Sequence, residues 1–136
     1  TFRYEIPDYA LVGDRELLLK PMVMNNLYAS VLSFLRIDTG LETRQYGFRD
    51  ACSRLVELDE TIALPRGYRL AGEPRSEQKA APAADFEGSL QQVGNKLVLK
   101  QKLALKKRIY RAADWEGFRA AVNAYKSFAD YLIVKL

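Results

Sequence analysis

Histidine is absent from this chain of 136 residues, and cysteine occurs once, as Cys52. A Ser–His–Asp triad, a Cys–His dyad and a histidine-liganded metal site all need an imidazole, so this chain alone can build none of them. A disulfide within the chain would need a second cysteine and is excluded as well. Since Cys52 lies in strand-like sequence, we predict a small buried thiol, with a reactive thiol as the alternative.

Long apolar runs are also missing. No stretch reaches the roughly 18 apolar residues of a membrane-spanning helix, so we predict no membrane span. The chain opens directly on strand-like sequence, without an initiator Met or a signal peptide. We therefore expect a single domain over residues 1–136, excised from a longer multidomain protein, whose compartment the fragment does not reveal.

The charge balance is mildly basic, with a formal net charge of +4 and a pI of 9.2. Such a field could favour nucleic acid or an acidic surface. The basic residues nevertheless lack the interleaved aromatic residues of a groove that binds single-stranded nucleic acid. We therefore predict a solvated positive surface and no nucleic-acid partner.

The clearest pattern in the sequence is a hairpin that spans Phe86–Tyr110. Gly94 and Asn95 suit a two-residue turn in which the glycine supplies a positive φ. Both flanking segments alternate apolar and polar residues, so the turn fixes which residues face each other. The predicted partners are Val93 with Lys96, Leu90 with Leu99, Phe86 with Leu103 and Glu87 with Lys102.

Alternation of apolar and polar residues predicts further strands. They cover residues 1–7, Arg15–Lys20, Ala51–Leu64, Tyr68–Ala71 and Tyr131–Leu136. Glu60 interrupts the inward apolar residues of Ala51–Leu64, which predicts a bulge or an emerging strand there. A tight turn at Pro65–Gly67 would return Tyr68–Ala71 as the partner of Ala51–Leu64.

The segment Gly72–Asp85 has no apolar periodicity and contains two prolines among small and polar residues. This composition is typical of a connection rather than of a buried strand. We predict a mobile loop between strands, and the alternative is an extension at the edge of a sheet.

Apolar residues at steps of three and four indicate helices. Trp115, Phe118, Val122 and Tyr125 predict a C-terminal helix whose aromatic stripe packs on a sheet. Similar spacing predicts a short helix near residues 24–35, with irregular strand-like packing as the competing interpretation. Together these patterns predict a mainly β fold, an antiparallel β-sandwich of immunoglobulin-like type with a C-terminal α-helix.

Basic residues occupy the outward positions of the second hairpin strand: Lys96, Lys100, Lys102, Lys106 and Arg108. The functional interpretation is a ladder that binds anions through Lys100, Lys102 and Lys106. The alternative is a solvated sheet face, in which lysines deter pairing with other chains. Glu87, predicted to lie opposite Lys102, favours the solvated face, and the segment 72–85 is the other candidate binding element.

Paired carboxylates at Glu57 and Asp59 share one face of a predicted strand. An acid–base pair would need one desolvated carboxyl group and a cleft between the two, and the sequence indicates neither. Nucleotide-binding, calcium-binding and nucleophile-elbow motifs are absent as well. We predict no catalytic, cofactor-binding or metal-binding residue and no cofactor.

Three segments in order resemble a known bacterial domain. They are Tyr4–Ala10 with Gly13-Asp14, the turn region Ile62–Arg69, and the C-terminal run Leu97–Lys135. Their order and spacing resemble the C-terminal β-sandwich domain of unknown function that follows the transglutaminase-like core in large proteins of the Bacteroidetes type. The helical segment Met24–Leu35 departs from that pattern.

The resemblance implies a non-catalytic accessory domain, structural or interacting, beside a papain-like transglutaminase core. That core would be the adjacent partner and would hold the catalytic residues, so the chain itself would not be an enzyme. The family also implies an exported protein, periplasmic or at the cell surface. The alternative function is a stand-alone β-sandwich module that binds a glycan or a polyanion.

Overall fold

The computed structural model describes residues 6–21, 37–128 and 130–136. They form ten strands, a 3₁₀ turn at Ala112–Asp114 and one α-helix. The strands are β1 Leu11–Val12, β2 Glu16–Leu19, β3 Phe48–Arg49, β4 Arg54–Ala63, β5 Arg69–Leu70, β6 Arg75–Ala80, β7 Ala84–Val93, β8 Lys96–Leu105, β9 Ile109–Tyr110 and β10 Leu132–Lys135, and the helix is α1 Trp115–Ser127.

All strand pairs are antiparallel, and they form three sheets. The main sheet has the order β4-β8-β7-β6, the small sheet has the order β1-β2-β10-β5, and β3 and β9 form a two-stranded ribbon. The predicted strands Arg15–Lys20 and Tyr131–Leu136 are confirmed as β2 and β10 of the small sheet. The whole of the predicted helix near 24–35 lies outside the described residues, and so do residues 1–5 of the predicted strand over 1–7. The last two residues of that predicted strand are described and do not belong to a strand.

The hairpin at the centre of the main sheet confirms the predicted register. Each of the four predicted pairs between β7 and β8 is present. Gly94 has φ of +62°, in the left-handed region that a glycine adopts without the steric penalty of a side chain. The turn and the alternation were independent signals, and their agreement explains why the register could be predicted.

Strand β4 extends the main sheet beyond β8 in an unbroken register from Arg54 opposite Leu105 to Ala63 opposite Lys96. The predicted bulge at Glu60 is therefore wrong. Glu60 lies opposite Leu99 in the regular ladder and is half-buried. Because β4 is an edge strand, a long side chain on its inner face can reach the margin of the sheet without a distortion.

The predicted mobile loop at 72–85 is also wrong, and the edge extension is right. Strand β6 pairs with β7 along its whole length, from Arg75 opposite Leu90 to Ala80 opposite Asp85. Five of its six residues are exposed, so no apolar alternation marks it in the sequence. Its backbone hydrogen bonds with β7 form the strand, and Pro74 and Pro82 flank it on both sides.

The segment after the Pro65–Gly67 turn joins a different sheet from the predicted one. The turn is present, with the Tyr68 N–H donating to the Pro65 carbonyl at 3.2 Å, and Gly67 has φ of +93°. Strand β5 then pairs with β10 rather than with β4. The side-chain amide of Gln92 holds the backbone of this segment in place. Its Oε1 accepts from the Leu70 N–H at 2.7 Å, and its Nε2 donates to the Tyr68 carbonyl at 3.3 Å.

One hydrophobic core joins the two four-stranded sheets and the helix. Its largest buried side chains come from every layer: Phe86, Leu90, Leu97, Leu103 and Leu105 of the main sheet, Trp115, Phe118 and Val122 of α1, and Val134 of the small sheet. The predicted aromatic stripe of α1 is thus confirmed as core. The fold is mainly β and antiparallel, sandwich-like, with one C-terminal helix. No helix formed by the described residues is long and apolar enough to cross a membrane.

The start of α1 depends on Asp114. Its Oδ2 accepts from the Arg111 N–H at 2.8 Å, and its Oδ1 accepts from Lys107 Nζ at 2.7 Å. The Lys107 hydrogen bond is the main cause that lowers the pKa of the Asp114 carboxyl group, and the Arg111 N–H lowers it further. The carboxylate also lies at the positive end of the helix dipole.

Replacing Asp114 by asparagine should therefore change how stability depends on pH. A carboxyl group whose folded-state pKa is lowered contributes stability above its unfolded pKa of about 3.9 and loses it as the pH falls through the folded value. The difference in unfolding free energy between the wild type and Asp114→Asn should be constant from about pH 7 to 5 and should shrink below about pH 4. Denaturant titrations at several pH values would measure it, and a difference that stays constant down to pH 3 would contradict this role.

Candidate functional site

The outer face of the main sheet carries the predicted lysine ladder. Lys100 and Lys102 are exposed on β8, and carboxylates flank them on the neighbouring strands. Lys102 lies between Glu57 of β4 and Glu87 of β7, while Lys100 lies opposite Asp59 of β4. The predicted outward orientation of these lysines is confirmed, and so is the cross-strand position of Glu87.

Each lysine of the candidate ladder has a carboxylate partner. The Nζ–oxygen distances are 3.0 Å from Lys102 to Glu57, 3.8 Å from Lys100 to Asp59 and 2.5 Å from Lys106 to Asp85. The hydrogen bond with Glu57 is the main cause that raises the pKa of Lys102, and the charge of Glu87 adds to it. Opposite charges thus alternate across the face, which favours the solvated-face interpretation over a polyanion site.

Lys106 is held at the turn between β6 and β7. Besides Asp85, its Nζ contacts the Ala81 carbonyl at 3.0 Å, and its own N–H donates to the Ala83 carbonyl. The hydrogen bond from Lys106, followed by that from the Ala81 N–H, lowers the pKa of Asp85. Lys106 therefore joins β8 to the end of β6 and is not free to act as a binding group.

Cys52 is exposed, so the predicted buried thiol is wrong. It lies in a bend between β3 and β4 rather than in the strand. Asp50 sets up this bend, because its Oδ1 accepts from the Ala51 N–H at 2.7 Å and its two oxygens accept from Arg54 at 3.0 and 3.1 Å. In the part of the chain that the structure describes, no group of three or more histidine, cysteine or acidic residues could hold a metal ion.

Aromatic side chains pack against the core-facing side of the ribbon formed by β3 and β9. The rings of Phe48 and Tyr110 stack at a centroid distance of 4.6 Å, and Phe118 contacts both edge-on at 5.0 Å. The guanidinium of Arg44 lies 4.8 Å from the rings of both Phe48 and Trp115. The inner side of the ribbon is therefore a packed part of the core.

The outer side of the ribbon presents Arg49, Ile109 and Arg111. Arg49 and Ile109 are cross-strand partners, so their side chains share the side opposite to Phe48 and Tyr110. Arg111 follows in extended backbone, with φ of −83° and ψ of 163°, which continues the alternation to the same side. All three residues are exposed.

No local pattern in the sequence indicates this outer surface. Two-residue strands are too short to show a period of two, and about 60 positions separate Arg49 from its partner Ile109. Strand β3 follows a polar stretch without apolar alternation, and only its pairing with β9 shows which of its residues face outward.

Comparisons with known proteins place the chain in a family and find its fold in a larger protein. Residues 15–134 match the model of a family described as a domain of unknown function, DUF3858. No curated protein sequence matches the chain. A crystal structure of a "putative protease" from Parabacteroides distasonis matches with a TM-score of 0.71 and 14% sequence identity, over 92% of this chain and 24% of that chain. The chain spans about a quarter of that protein's length, and a likeness at this identity establishes the shared fold.

Proposed function

We propose that this chain, which belongs to the DUF3858 family, is a non-catalytic accessory domain of a larger transglutaminase-like bacterial protein. One observation carries the proposal: 92% of the chain superimposes on a segment that makes up only 24% of the longer protein. A fold that recurs as a fraction of a longer chain is suited to a supporting role beside another domain.

The chemistry of the side chains supports the same role. Nucleophilic acyl transfer by cysteine needs an adjacent base, and the whole sequence contains no histidine. Cys52 lies in the bend set up by Asp50, whose carboxylate accepts hydrogen bonds from Ala51 and Arg54. In this proposal the Cys–His–Asp chemistry belongs to a papain-like core elsewhere in the polypeptide.

The proposal also covers the type of catalytic core and the location of the protein in the cell. The order of the three sequence segments that resemble the domain after a transglutaminase-like core supports that context. The name of the solved protein, a "putative protease", is compatible with it, because papain-like proteases and transglutaminases use the same kind of cysteine chemistry. We propose a periplasmic or cell-surface location on the same resemblance.

Assays of the chain by itself test the proposal. Purified residues 1–136 should release no ammonia from glutamine-containing peptides and cleave no peptide above the rate of a buffer blank. Cys52→Ala is the matched control, because it removes the sole thiol of the chain at an exposed position. Turnover that the wild type shows and Cys52→Ala abolishes would overturn the proposal.

A further inference from the structure

Residues 38–46 form a strap that lies against α1 and is anchored at both ends. Ile37 and Phe48, on either side of the strap, pack against the hydrophobic core. Gly47 fits closely at the second end, since a Cβ at position 47 would lie 2.6 Å from the Tyr110 carbonyl oxygen. Phe48 then begins β3, so the strap joins two fixed points of the fold.

Between these two points the strap makes few contacts of its own. In the part of the chain that the structure describes, no backbone–backbone hydrogen bond involves residues 38–46, which contain no helix or strand. Of these residues only Thr39 is buried, Arg44 is half-buried and the other seven are exposed. A segment with few buried contacts and no backbone ladder opens at a lower free energy than a core strand or helix does.

Three side chains of α1 hold the strap by hydrogen bonds. Trp115 Nε1 donates to the Leu41 carbonyl at 3.0 Å. Arg119 Nε donates to the Thr39 carbonyl and Lys126 Nζ to the Thr39 Oγ1, both at 3.0 Å. At 3.6 residues per turn the three donor positions lie within about 40° of arc on one face of the helix. The strap therefore covers a row of donors, and lifting it would release all of them together.

Arg44 attaches the middle of the strap, but with an unsatisfied donor. Its guanidinium lies 4.8 Å from the ring centroids of both Phe48 and Trp115, an attractive cation–π arrangement. Its Nη1 is nevertheless buried without a hydrogen-bond partner among the described residues. A buried donor without an acceptor raises the free energy of the closed strap, and water would satisfy it in an open one. Exposure of Arg44 to water therefore offsets part of the interaction energy lost on opening.

We propose that the strap opens as a unit while the sheets and α1 stay folded, and that this opening controls the access of solvent to Trp115 and to the donors on α1. In the closed state Trp115 is 2% exposed, and oxygen atoms of the strap occupy all three donors. The open state presents Trp115 Nε1, Arg119 Nε and Lys126 Nζ to water. This conformational change concerns the domain alone and does not depend on the proposed function.

Hydrogen exchange at the indole N–H of Trp115 tests this proposal, because the sole tryptophan of the chain gives a single indole resonance. Its exchange rate is compared by NMR with that of the amide of Val122, a buried residue of α1, at increasing urea concentrations below the unfolding transition. Strap opening exposes little surface, so exchange of the indole N–H should depend only weakly on urea. Relative to the unfolded-state rates, it should be at least about 100-fold faster than exchange at Val122, which should show the steep urea dependence of global unfolding.

Two variants separate opening of the strap from fraying of the helix start. Arg119→Ala and Lys126→Ala each remove one attachment of the strap, and each should speed exchange of the indole N–H about tenfold without changing its weak urea dependence. Glu116→Ala is the matched control, because Glu116 is exposed on the same helix and makes none of these hydrogen bonds, and it should leave the rate unchanged.

Equal rates and equal urea dependences for the indole N–H and the Val122 amide would overturn the proposal, since only global unfolding would then expose Trp115. An indole rate that neither Arg119→Ala nor Lys126→Ala changes would overturn it as well, because the hydrogen bonds to the strap would then not control the exposure of Trp115.

Discussion

Phe118→Ala is expected to lower the free energy of unfolding by about 3–5 kcal/mol, the usual cost of truncating a fully buried aromatic residue. Phe118 is 0% exposed and lies where α1 meets the ribbon. Its ring contacts Phe48 and Tyr110 at 5.0 Å and Trp115 at 5.9 Å. The substitution would thus remove buried apolar area and leave a cavity among three rings that cannot all move inward.

Equilibrium denaturation by urea would measure this loss. Ile109→Ala is the matched control, because it truncates an apolar side chain of the same ribbon on its exposed side and should cost less than about 0.5 kcal/mol. A loss below about 1 kcal/mol for Phe118→Ala would show that the aromatic cluster is not tightly packed.

Arg54→Ala is expected to cost about 3–5 kcal/mol, because it leaves the carboxylate of Asp50 without its guanidinium partner in a buried site. The side chains of Arg54 and Asp50 are 13% and 5% exposed, and their closest N–O distance is 3.0 Å. The Asp50 hydrogen bond is also the main cause that raises the pKa of Arg54. Replacing both residues, as Asp50→Leu with Arg54→Met, should recover part of the loss, because the buried carboxylate is removed together with the guanidinium, although the hydrogen bond from the Ala51 N–H is lost as well.

Lys102→Ala provides the contrast. The Lys102–Glu57 pair has the same N–O distance of 3.0 Å, but its side chains are 53% and 57% exposed. Water screens this pair and solvates the remaining carboxylate, so Lys102→Ala should lower the free energy of unfolding far less than Arg54→Ala does. Equal losses for Arg54→Ala and Lys102→Ala would show that burial does not decide the contribution of these pairs.

The parts of the fold that the sequence predicts are those with two independent local signals. The β7–β8 register follows both from the Gly94-Asn95 turn and from the alternation on each side of it. Helix α1 follows from a long aromatic stripe with an acidic residue before its start. Where local pattern and tertiary packing agree in this way, the prediction is confirmed in detail.

The parts that the sequence does not predict depend on long-range pairing. Strand β6 is formed by hydrogen bonds to β7 and needs no apolar side chains, and β5 crosses to the small sheet because the amide of Gln92 binds its backbone. Cys52 was predicted to be buried from strand-like sequence, but the side-chain hydrogen bonds of Asp50 form a bend at that point. Such contacts join residues whose proximity no local pattern indicates.

The candidate site shows the same division. Position along β8 predicted the outward orientation of Lys100 and Lys102, and the structure adds the carboxylates from β4 that neutralise them. The pairing of Arg49 with Ile109 could not be predicted, since it depends on two strands of two residues each. A surface built from such short strands becomes visible only when the packing that positions them is known.

Alkylation of the intact polypeptide tests the central claim, that this domain is accessory to chemistry located elsewhere, most directly. Iodoacetamide is added in small increments, and residual acyl-transfer or peptidase activity is compared with the alkylated fraction of each cysteine. Activity should fall in proportion to alkylation of a cysteine outside residues 1–136, and the intact polypeptide carrying Cys52→Ala should keep the full wild-type kcat/KM. Loss of activity that follows the alkylation of Cys52, together with an inactive Cys52→Ala polypeptide, would contradict the account.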